Sequence, residues 1–353
     1  MTKFNPPIRL CLDGDALVQN WRQLARLSGN AAAGAAVKAD GYGLGAREVV
    51  QRLSGAGCRD FFVAHWAEAV TIADIIPAEQ ICVLNGVSET DLTLAKELGA
   101  IPVLNSPKQI ALWKMVGAGR CHVMLDSGIN RLGIGPEQIV SGCFDGLDID
   151  ILASHLASAD EDVAQNSVQL HSFKQMATGI SARRLSLANS AGIMLGADYH
   201  FNLTRPGLSL YGGIARPEMD KFIEPVVHIS AQIMQVRELH AGDPVGYNAT
   251  YTCTGSQRVA TAAIGYADGY LRGFSGKGSV YFGGLLLPVI GRVSMDLITI
   301  DASQAIGLQE GDWVDIAYDL PEASHASGLS QYELLTGLGR RSDRSWLCVG
   351  QVT

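Results

Sequence analysis

Long stretches of basic residues are missing from this chain of 353 residues. The formal net charge at pH 7 is −8, and Lys and Arg never gather into an extended run. Proteins that bind nucleic acid or an anionic membrane surface usually present such a run or a clustered basic patch. The sequence therefore predicts neither nucleic acid nor a membrane surface as a partner.

Long apolar runs and paired cysteines are missing as well. The N-terminal residues MTKFNPPIRLCL hold no apolar segment long enough for a signal peptide, and no stretch is long enough to cross a bilayer. The cysteines are odd in number and form no C-x-x-C pair, which favours reduced thiols over a disulfide framework or a zinc site. They are Cys11, Cys58, Cys82, Cys121, Cys143, Cys253 and Cys348. We expect a soluble cytoplasmic protein without a metal site.

Short apolar runs dominate what is present. Apolar residues make up 47% of the chain and charged residues 18%, which is typical of a globular protein with a large interior. Eight runs alternate with segments whose apolar residues repeat at i, i+3 and i+4: AAVKA, FFVAH, ICVLN, IPVLN, CHVML, ILASH, RLSLAN and LTRPGLSLY. This alternation predicts an α/β fold, a closed parallel β/α barrel of eight strands. Weak helical patterns after the fifth and seventh runs leave an open doubly wound sheet as the alternative.

The pattern changes near Glu224. Beyond it the chain alternates or is β-branched, with turns at AGD, FGG and EGD, and only LSQYELLTGLGRR has a helical pattern. We therefore predict a barrel over residues 1–224 and a mainly antiparallel β domain over residues 225–353. The first ten or so residues are candidates for pairing with that second domain.

Polar side chains collect at the predicted carboxyl ends of the barrel strands, where active sites of this architecture lie. They are Lys38, Tyr42, Asp126, Arg131, His155, Asn189, Ser190 and Arg205. The segments ANSAG and RPGLS supply the small residues and hydroxyl groups of a phosphate site, and Lys38 is the only lysine at these strand ends. The set suggests a phosphorylated aldehyde held as a Schiff base. Each residue taken singly also has a purely structural interpretation: Lys38 as a solvated lysine, His155 as a core histidine and Arg205 as an ion-paired arginine.

Nine segments resemble the alanine racemases, in the order of that family and over nearly the whole chain. They are AVKADGYGLGA, LDSGINRLG, SHLASAD, ANSAG, TRPGLSLYG, VGYNATYT, GYADGY, GRVSMD and YELLTGLG. The resemblance implies a β/α barrel followed by a β domain, a head-to-tail homodimer with shared active sites, and pyridoxal phosphate as cofactor. It also implies interconversion of L-alanine and D-alanine, with D-alanine supplied to cell-wall peptidoglycan.

The resemblance further implies roles for the matching residues. Lys38 carries the cofactor and serves as one base, and Tyr247 of the partner subunit is the opposing base. Two bases are needed because racemisation removes the Cα proton from one face and returns a proton to the other. Arg205 faces the pyridine nitrogen, and His155 lies between Arg205 and the tyrosine.

The remaining matched residues bind the cofactor phosphate or the substrate. The cofactor contacts are Tyr42, Asn189, Ser190, Tyr332 and the backbone of Gly207 and Leu208. The substrate carboxylate is received by Arg131 and the backbone of Met295. The residues that match the family's substrate corridor are Tyr266, Arg272, Arg292 and Asp160.

Two positions depart from the family pattern. Met124 stands where many members carry a carbamylated lysine, and a thioether cannot replace a carbamate beside Arg131. Asn130, a bound anion such as chloride, or a carboxylate of the second domain is left to orient that guanidinium. Leu44 replaces the histidine of the family's YGHG.

Three other functions stay open from the sequence. The first is a racemase of the same fold that acts on serine or on several amino acids. The second is a non-catalytic pyridoxal-phosphate carrier, which the β domain disfavours because such carriers stop after the barrel. The third is a related decarboxylase, which needs a longer β domain and a catalytic cysteine context that the sequence does not show.

Overall fold

The computed structural model describes residues 5–117, 119–140 and 142–347, which divide into two compact units. The larger unit spans Ala16–Glu224, and the other combines Met1–Asp15 with Pro225–Thr353. No helix in these described ranges is long and apolar enough to cross a membrane. The same ranges hold no group of three or more metal-ligating side chains. Six cysteines are free thiols, and Cys348 lies outside the described residues.

The larger unit is a closed barrel of parallel strands. The first strand of the chain, β1, belongs to the other unit. The strands in chain order are β1 (Ile8–Asp13), β2 (Ala32–Ala33), β3 (Ala35–Ala36), β4 (Phe61–Val63), β5 (Ile81–Val83), β6 (Ile101–Leu104), β7 (Arg120–Met124), β8 (Asp148–Ala153), β9 (Arg184–Ser186) and β10 (Leu203–Thr204). Strands β2 and β3 are two halves of the first barrel strand, interrupted at Gly34.

Hydrogen bonds on both sides of β10 close the ring. Strands β3 to β9 form one parallel sheet in sequence order. Strand β10 pairs in parallel with β2 on one side, and on the other the Arg205 N–H donates to the Ala188 carbonyl at 2.8 Å. Closure confirms the predicted eight-stranded barrel and excludes the open doubly wound sheet.

Helices connect most of the barrel strands. They are α1 (Gly14–Leu27), α2 (Lys38–Tyr42), α3 (Ala46–Ala56), α4 (Trp66–Ile72), α5 (Leu92–Leu98), α6 (Pro107–Met115) and α7 (Ala164–Ala177). The short α2 segment is a left-handed turn from residue 39 onward rather than a right-handed helix. Helices α3 to α6 lie in four segments with apolar residues at i, i+3 and i+4: AREVVQRLSGAG, WAEAVTIADII, ETDLTLAKELGA and PKQIALWKMVGA. Within the described part of the chain, β7 and β9 are followed by 3₁₀ turns such as Pro136–Gln138 and Ala191–Leu195 rather than by α-helices. The weak helical patterns at those two places agree with this outcome.

Arg184 joins two carboxylates near the amino ends of the barrel strands. Its guanidinium donates to both oxygens of Asp60, at 3.0 and 2.9 Å, and to both oxygens of Asp150, at 3.2 and 2.7 Å. Asp60 directly precedes β4, whereas Asp150 lies on β8. Both carboxylates are mostly buried. This Arg184 cluster of Arg184, Asp60 and Asp150 therefore links strands that are far apart in the barrel, and each carboxylate needs the guanidinium to balance its charge.

The second unit is built on a sheet that also closes on itself. Its further elements are β11 (Val227–Leu239), β12 (Pro244–Val245), β13 (Tyr251–Thr252), β14 (Gln257–Ala262), β15 (Ser279–Phe282), β16 (Leu285–Ile290), β17 (Ile298–Asp301), β18 (Trp313–Ile316), α8 (Leu320–Ser327), α9 (Gln331–Thr336) and β19 (Asp343–Leu347). The strand order is β14-β17-β16-β15-β18-β11-β1-β19, and β14 also pairs with β11. Only the β1–β19 pair within this sheet is parallel, among the pairs described. The mainly antiparallel β domain is confirmed.

Replacing Arg184 by Met should destabilise the chain strongly. The change leaves two mostly buried carboxylates without their cation, a loss that typically costs about 3 kcal/mol or more. The neighbouring Arg183 pairs with Asp148 at 2.6 Å, but both side chains are about half exposed. Arg183→Met should therefore cost less than about 1 kcal/mol. Urea unfolding of both variants measures the difference, and equal losses would contradict the proposed dependence on burial.

Candidate active site

Lys38 stands where the first barrel strand ends and a left-handed turn begins. The Val37 N–H still donates to the Phe62 carbonyl of the neighbouring strand at 2.8 Å. The four residues after Lys38, numbered 39–42, have φ values of 54°, 54°, 64° and 56°. Left-handed backbone costs an L-residue roughly 1–2 kcal/mol, so the surrounding structure must hold this turn. Strain of this kind concentrates at functional sites.

Hydrogen bonds and close packing hold the turn in place. The Asp40 carboxylate accepts from the Ala46 N–H at 2.9 Å, and the Gly43 N–H donates to the Ala39 carbonyl at 2.8 Å. A Cβ at Gly41 would lie 3.1 Å from the backbone nitrogen of Ala46, so only glycine fits without displacement. The glycine-rich segment after Lys38 therefore has a geometric cause. Leu44, which departs from the family pattern, is buried.

Hydroxyl and backbone N–H groups converge beside the turn. The buried Ser190 Oγ accepts from the N–H groups of Gly207, at 2.9 Å, and of Ser209, at 3.3 Å. Leu208 begins a 3₁₀ turn in the same segment. The Asn189 side chain accepts from the Gly192 N–H at 2.8 Å, in the 3₁₀ turn Ala191–Leu195. Backbone N–H groups and a hydroxyl in this arrangement suit an anion.

Tyr42 borders the same group. Its buried ring stacks on Tyr211 with the centroids 4.6 Å apart, and the Tyr211 hydroxyl donates to the Ala36 carbonyl at 2.8 Å. A Cβ at Gly207 would overlap the Tyr42 hydroxyl, which places that hydroxyl directly against the Gly207 backbone. The structure thus brings Tyr42, Ser190 and Gly207 together as the sequence predicted.

Arg205 is a buried cation held only by neutral groups. Its guanidinium donates to the Ser186 hydroxyl, to the Ser154 carbonyl at 2.5 Å and to the Leu187 carbonyl at 3.4 Å. None of the described carboxylates forms an ion pair with it. Burial lowers the pKa of Arg205 to about 10, so the guanidinium is charged at neutral pH. An unpaired buried cation is costly unless a ligand supplies the acceptor.

His155, which follows β8, lies among three cations. Burial, together with the positive charges of Arg205, Arg131 and Lys38, lowers the pKa of His155 to about 3. The imidazole is therefore neutral at physiological pH. Burial and then Arg131 also lower the pKa of Lys38, whereas Glu68 opposes that shift. The rim of the barrel thus concentrates positive charge around His155, with Lys38 and Arg131 at the surface and Arg205 buried.

Arg131 extends from a loop that Asp126 shapes. The Asp126 carboxylate accepts from the N–H groups of residues 128, 129 and 130 at 3.0, 2.9 and 3.0 Å, and from the Arg131 N–H at 3.2 Å. Asp126 therefore orders the backbone, while no hydrogen bond links the Asn130 side chain to Arg131 within the described residues. The buried Met124 at the end of β7 offers no acceptor to the guanidinium.

Tyr247, Tyr332 and Met295 are among the predicted residues that lie in the second unit. Tyr247 follows Gly246 in the loop between β12 and β13, and its side chain is 68% exposed. Asn248 and Ala249 continue that loop with φ values of 61° and 46°. Tyr332 lies on α9 and is about half exposed. The Met295 side chain is 54% exposed as well. Each residue presents its side chain on a loop or at a helix surface.

The backbone around Met295 is joined to the turn that carries Tyr266. The Tyr266 N–H donates to the Ser294 carbonyl and the Ala267 N–H to the Met295 carbonyl, both at 3.0 Å. A Cβ at Gly265 would overlap these two carbonyl groups, so the contact depends on glycine. The Arg272 guanidinium lies 5.2 Å from the centroid of the Tyr266 ring. In the described part of the chain, the Met295 N–H donates to no acceptor and is free to receive a ligand.

Several supporting residues were not predicted from the sequence. Ser186 orients Arg205, and Glu68 accepts from the Ala39 N–H at 2.8 Å. Arg341 donates to Asp268, at 2.9 and 3.0 Å, and to Asp296 at 2.7 Å, which braces the segments around Tyr266 and Met295. A serine on a strand or a glutamate in the first turns of a helix is common, so neither carries a signal in one sequence.

Two family profiles match consecutive parts of the chain. The profile described as alanine racemase, N-terminal domain, covers residues 12–215. The profile described as alanine racemase, C-terminal domain, covers residues 226–346. Together they span both compact units.

Individual relatives match over nearly their full length. An alanine racemase of Cereibacter sphaeroides is 40% identical over 344 residues, which cover 96% of this chain and 97% of that protein. A biosynthetic alanine racemase of Agrobacterium fabrum is 38% identical over 367 residues, covering 97% of this chain and 94% of that protein. The crystal structure of alanine racemase from Bartonella henselae with covalently bound pyridoxal phosphate is 35% identical and superposes with a TM-score of 0.91, covering 96% of this chain and 99% of that one.

Proposed function

Because the chain belongs to the alanine racemase family, we propose that it interconverts L-alanine and D-alanine with pyridoxal phosphate as cofactor. The observation that carries this proposal is the positive rim of the barrel. Lys38, Arg131 and Arg205 act on the neutral His155, and Glu68 is the only carboxylate among the described residues that acts on Lys38. A phosphorylated cofactor and a substrate carboxylate supply the negative charges that this rim otherwise lacks.

The residues present fit this cofactor. The amine of Lys38, whose pKa is lowered, suits an aldehyde, and the Ser190 hydroxyl, which accepts from the Gly207 N–H, keeps its own O–H to donate to a phosphate. Arg205 suits the pyridine nitrogen because a guanidinium can donate a hydrogen bond there without giving up its proton. Bound pyridoxal phosphate supplies the electron sink that acidifies the substrate Cα–H. The tyrosines Tyr42 and Tyr332 and the backbone of Leu208 complete the proposed phosphate contacts, with Asn189 ordering the loop.

Arg131 and the Met295 N–H are proposed to receive the substrate carboxylate. Arg131 is a planar donor suited to a carboxylate, and the Met295 N–H is free among the described residues. Orientation of the carboxylate by both groups fixes which hydrogen on Cα points towards Lys38. The Lys38 amine then moves a proton on one face of the substrate, and its lowered pKa favours the free-base form that this task requires.

The opposite face needs a second base, for which the second unit offers two tyrosines. The family resemblance assigns Tyr247, with Tyr266 in the substrate corridor. The contacts favour Tyr266: its backbone is joined to the Met295 segment, and the Arg272 guanidinium lies 5.2 Å from the centroid of its ring. Tyr247 is largely exposed and forms no side-chain hydrogen bond with a described residue. We keep both as candidates that the variants below separate.

We further propose a homodimer in which the second unit of one subunit completes the site of its partner. Tyr247, Met295 and Tyr332 are exposed in the single chain, as residues that meet a partner would be. The proposed setting is the cytoplasm, where free cysteines stay reduced, and the proposed use of D-alanine is cell-wall peptidoglycan. A non-catalytic carrier is disfavoured because the C-terminal family profile matches residues 226–346.

The purified chain should racemise L-alanine when supplied with pyridoxal phosphate, and Lys38→Ala should remove nearly all of this activity. The substitution removes both the cofactor's attachment point and one base. Loss of optical rotation and the absorbance of the bound cofactor measure the two effects, with L-serine as the competing substrate. Faster racemisation of L-serine than of L-alanine would indicate serine as the substrate. A cofactor that borohydride still fixes to another lysine in Lys38→Ala would refute the assignment of Lys38.

Removing the second base should lower racemisation by a factor of about 10² to 10⁴. Tyr266→Phe and Tyr247→Phe keep each ring and remove one hydroxyl, so the variant with the larger loss identifies the base. Solvent-deuterium exchange into each enantiomer should also become unequal, with L-alanine affected most, because Lys38 still serves the other face. Equal losses for both enantiomers in both variants would count against a two-base mechanism.

Mixing inactive subunits tests the shared site. The tyrosine variant with the larger loss, combined with Lys38→Ala, should regain activity because one of the two sites in a mixed dimer keeps both bases. Each variant mixed with itself is the control. No recovery after exchange of subunits, shown by a tagged chain, would place both bases in one subunit.

Racemisation should not respond to bicarbonate. In other members of the family a carbamylated lysine orients the arginine that matches Arg131, and Met124 cannot form that carbamate. A bound anion can take that position beside Arg131, so the KM for L-alanine should change with chloride concentration. The matched variant Met124→Lys restores the amine and should make the KM sensitive to bicarbonate. A bicarbonate response of the unaltered chain would overturn this prediction.

A further inference from the structure

Glu68 bridges the ends of two neighbouring barrel strands beside Lys38. It lies on α4, and its side chain is only 16% exposed. One carboxylate oxygen accepts from the Ala39 N–H at 2.8 Å, and the other accepts from the Ala64 N–H at 2.7 Å. Ala39 follows Lys38 directly, while Ala64 follows β4. A single carboxylate therefore connects the segment that carries Lys38 to the adjacent strand.

The position of this bridge matters because of the turn that it meets. Ala39 is the first residue with left-handed backbone after Lys38. Its N–H is directed to Glu68, and a hydrogen bond to a charged acceptor is about twice as strong as one between neutral groups. The bridge thus opposes relaxation of the strained turn and fixes the direction in which the Lys38 side chain leaves the backbone.

Glu68 also supplies negative charge where positive charge predominates. Among the described residues, Lys38 also interacts with Arg131, from the loop after β7, and with His155, after β8. The His65 Nε2 atom lies 3.8 Å from Glu68 Oε1, the oxygen that also accepts from the Ala39 N–H. Glu68 favours protonated Lys38, and Arg131 opposes it.

We infer that Glu68 is a positioning residue for Lys38, which holds the left-handed turn through its carboxylate and balances the charge of Arg131. The inference rests on the proposed function for its biological meaning, since it concerns the lysine that would hold the cofactor. The hydrogen bonds on which it depends, from Ala39 and Ala64 to Glu68, lie within the chain and do not involve the cofactor. Its test can therefore be made on cofactor-free protein.

The experiment compares Glu68→Gln with Glu48→Gln, which removes an exposed carboxylate from the neighbouring helix α3. Acetic anhydride acylates only the free amine, and mass spectrometry of the peptide that contains residue 38 measures the rate as a function of pH. Loss of Glu68's charge should move the midpoint of this profile to lower pH, so that Lys38 reacts faster near neutrality. Glu48→Gln should retain the midpoint of the unaltered chain.

Binding of pyridoxal phosphate to each protein, followed by absorbance, is the second measurement. Glu68→Gln keeps one acceptor oxygen but presents an amide nitrogen to the other N–H, and such a loss corresponds to about tenfold in affinity. Glu68→Asp keeps the charge but is too short to span both N–H groups. It should keep the midpoint near that of the unaltered chain and still bind the cofactor more weakly.

The outcomes separate this inference from the proposed function. A Glu68→Gln protein with an unchanged midpoint and unchanged affinity overturns the inference, whether or not the chain racemises alanine. Absence of racemisation by the unaltered chain overturns the proposed function and leaves the acylation profile unaffected. If thermal unfolding shows that Glu68→Gln does not fold, Glu68→Asp decides: reduced affinity at an unchanged midpoint supports the inference, and unchanged affinity overturns it.

Discussion

Unbalanced positive charge at the carboxyl ends of the barrel strands is the constraint on which this site depends. Burial holds His155 neutral, and the positive charges of Arg205, Arg131 and Lys38 act in the same direction. Buried cations are tolerated only where acceptors or counter-charges reach them. Arg205 is satisfied by a hydroxyl and two carbonyl groups, and these do not neutralise its charge. The phosphate of the proposed cofactor and the carboxylate of the proposed substrate would supply the missing negative charge. The electrostatics of the site therefore agree with the proposed chemistry.

A rigid scaffold is needed to keep such charges together. The barrel closes through β10, and the Arg184 cluster fastens strands on the side away from the proposed site. The left-handed turn after Lys38 is a strained element set into this frame. Within the turn, the Asp40 carboxylate accepts from the Ala46 N–H, and the Ala39 N–H donates to Glu68 on α4. Stability in one part of the fold thus offsets strain where the reactive lysine stands.

The second unit contributes a different kind of element. The β12–β13 hairpin exposes Tyr247, the loop between β16 and β17 exposes Met295, and Arg341 braces the segments around Tyr266 and Met295. Loops held by a rigid sheet can present reactive groups with little backbone freedom. The proposed dimer assigns these loops to the site of the partner subunit. The proposed division accounts for the exposure of Tyr247 in a single chain.

The sequence by itself determined the eight barrel strands, the change to β structure near Glu224 and the polar residues at the strand ends, because hydrophobic periodicity and motif order are local properties. Ring closure at β10, the neutral state of His155 and the bridge from Glu68 to Ala39 were decided only by tertiary structure. Each depends on groups far apart in the sequence, whose separation, burial and charge no local pattern encodes. The choice between Tyr247 and Tyr266 belongs to the same class, because the direction of a side chain follows from packing rather than from a motif.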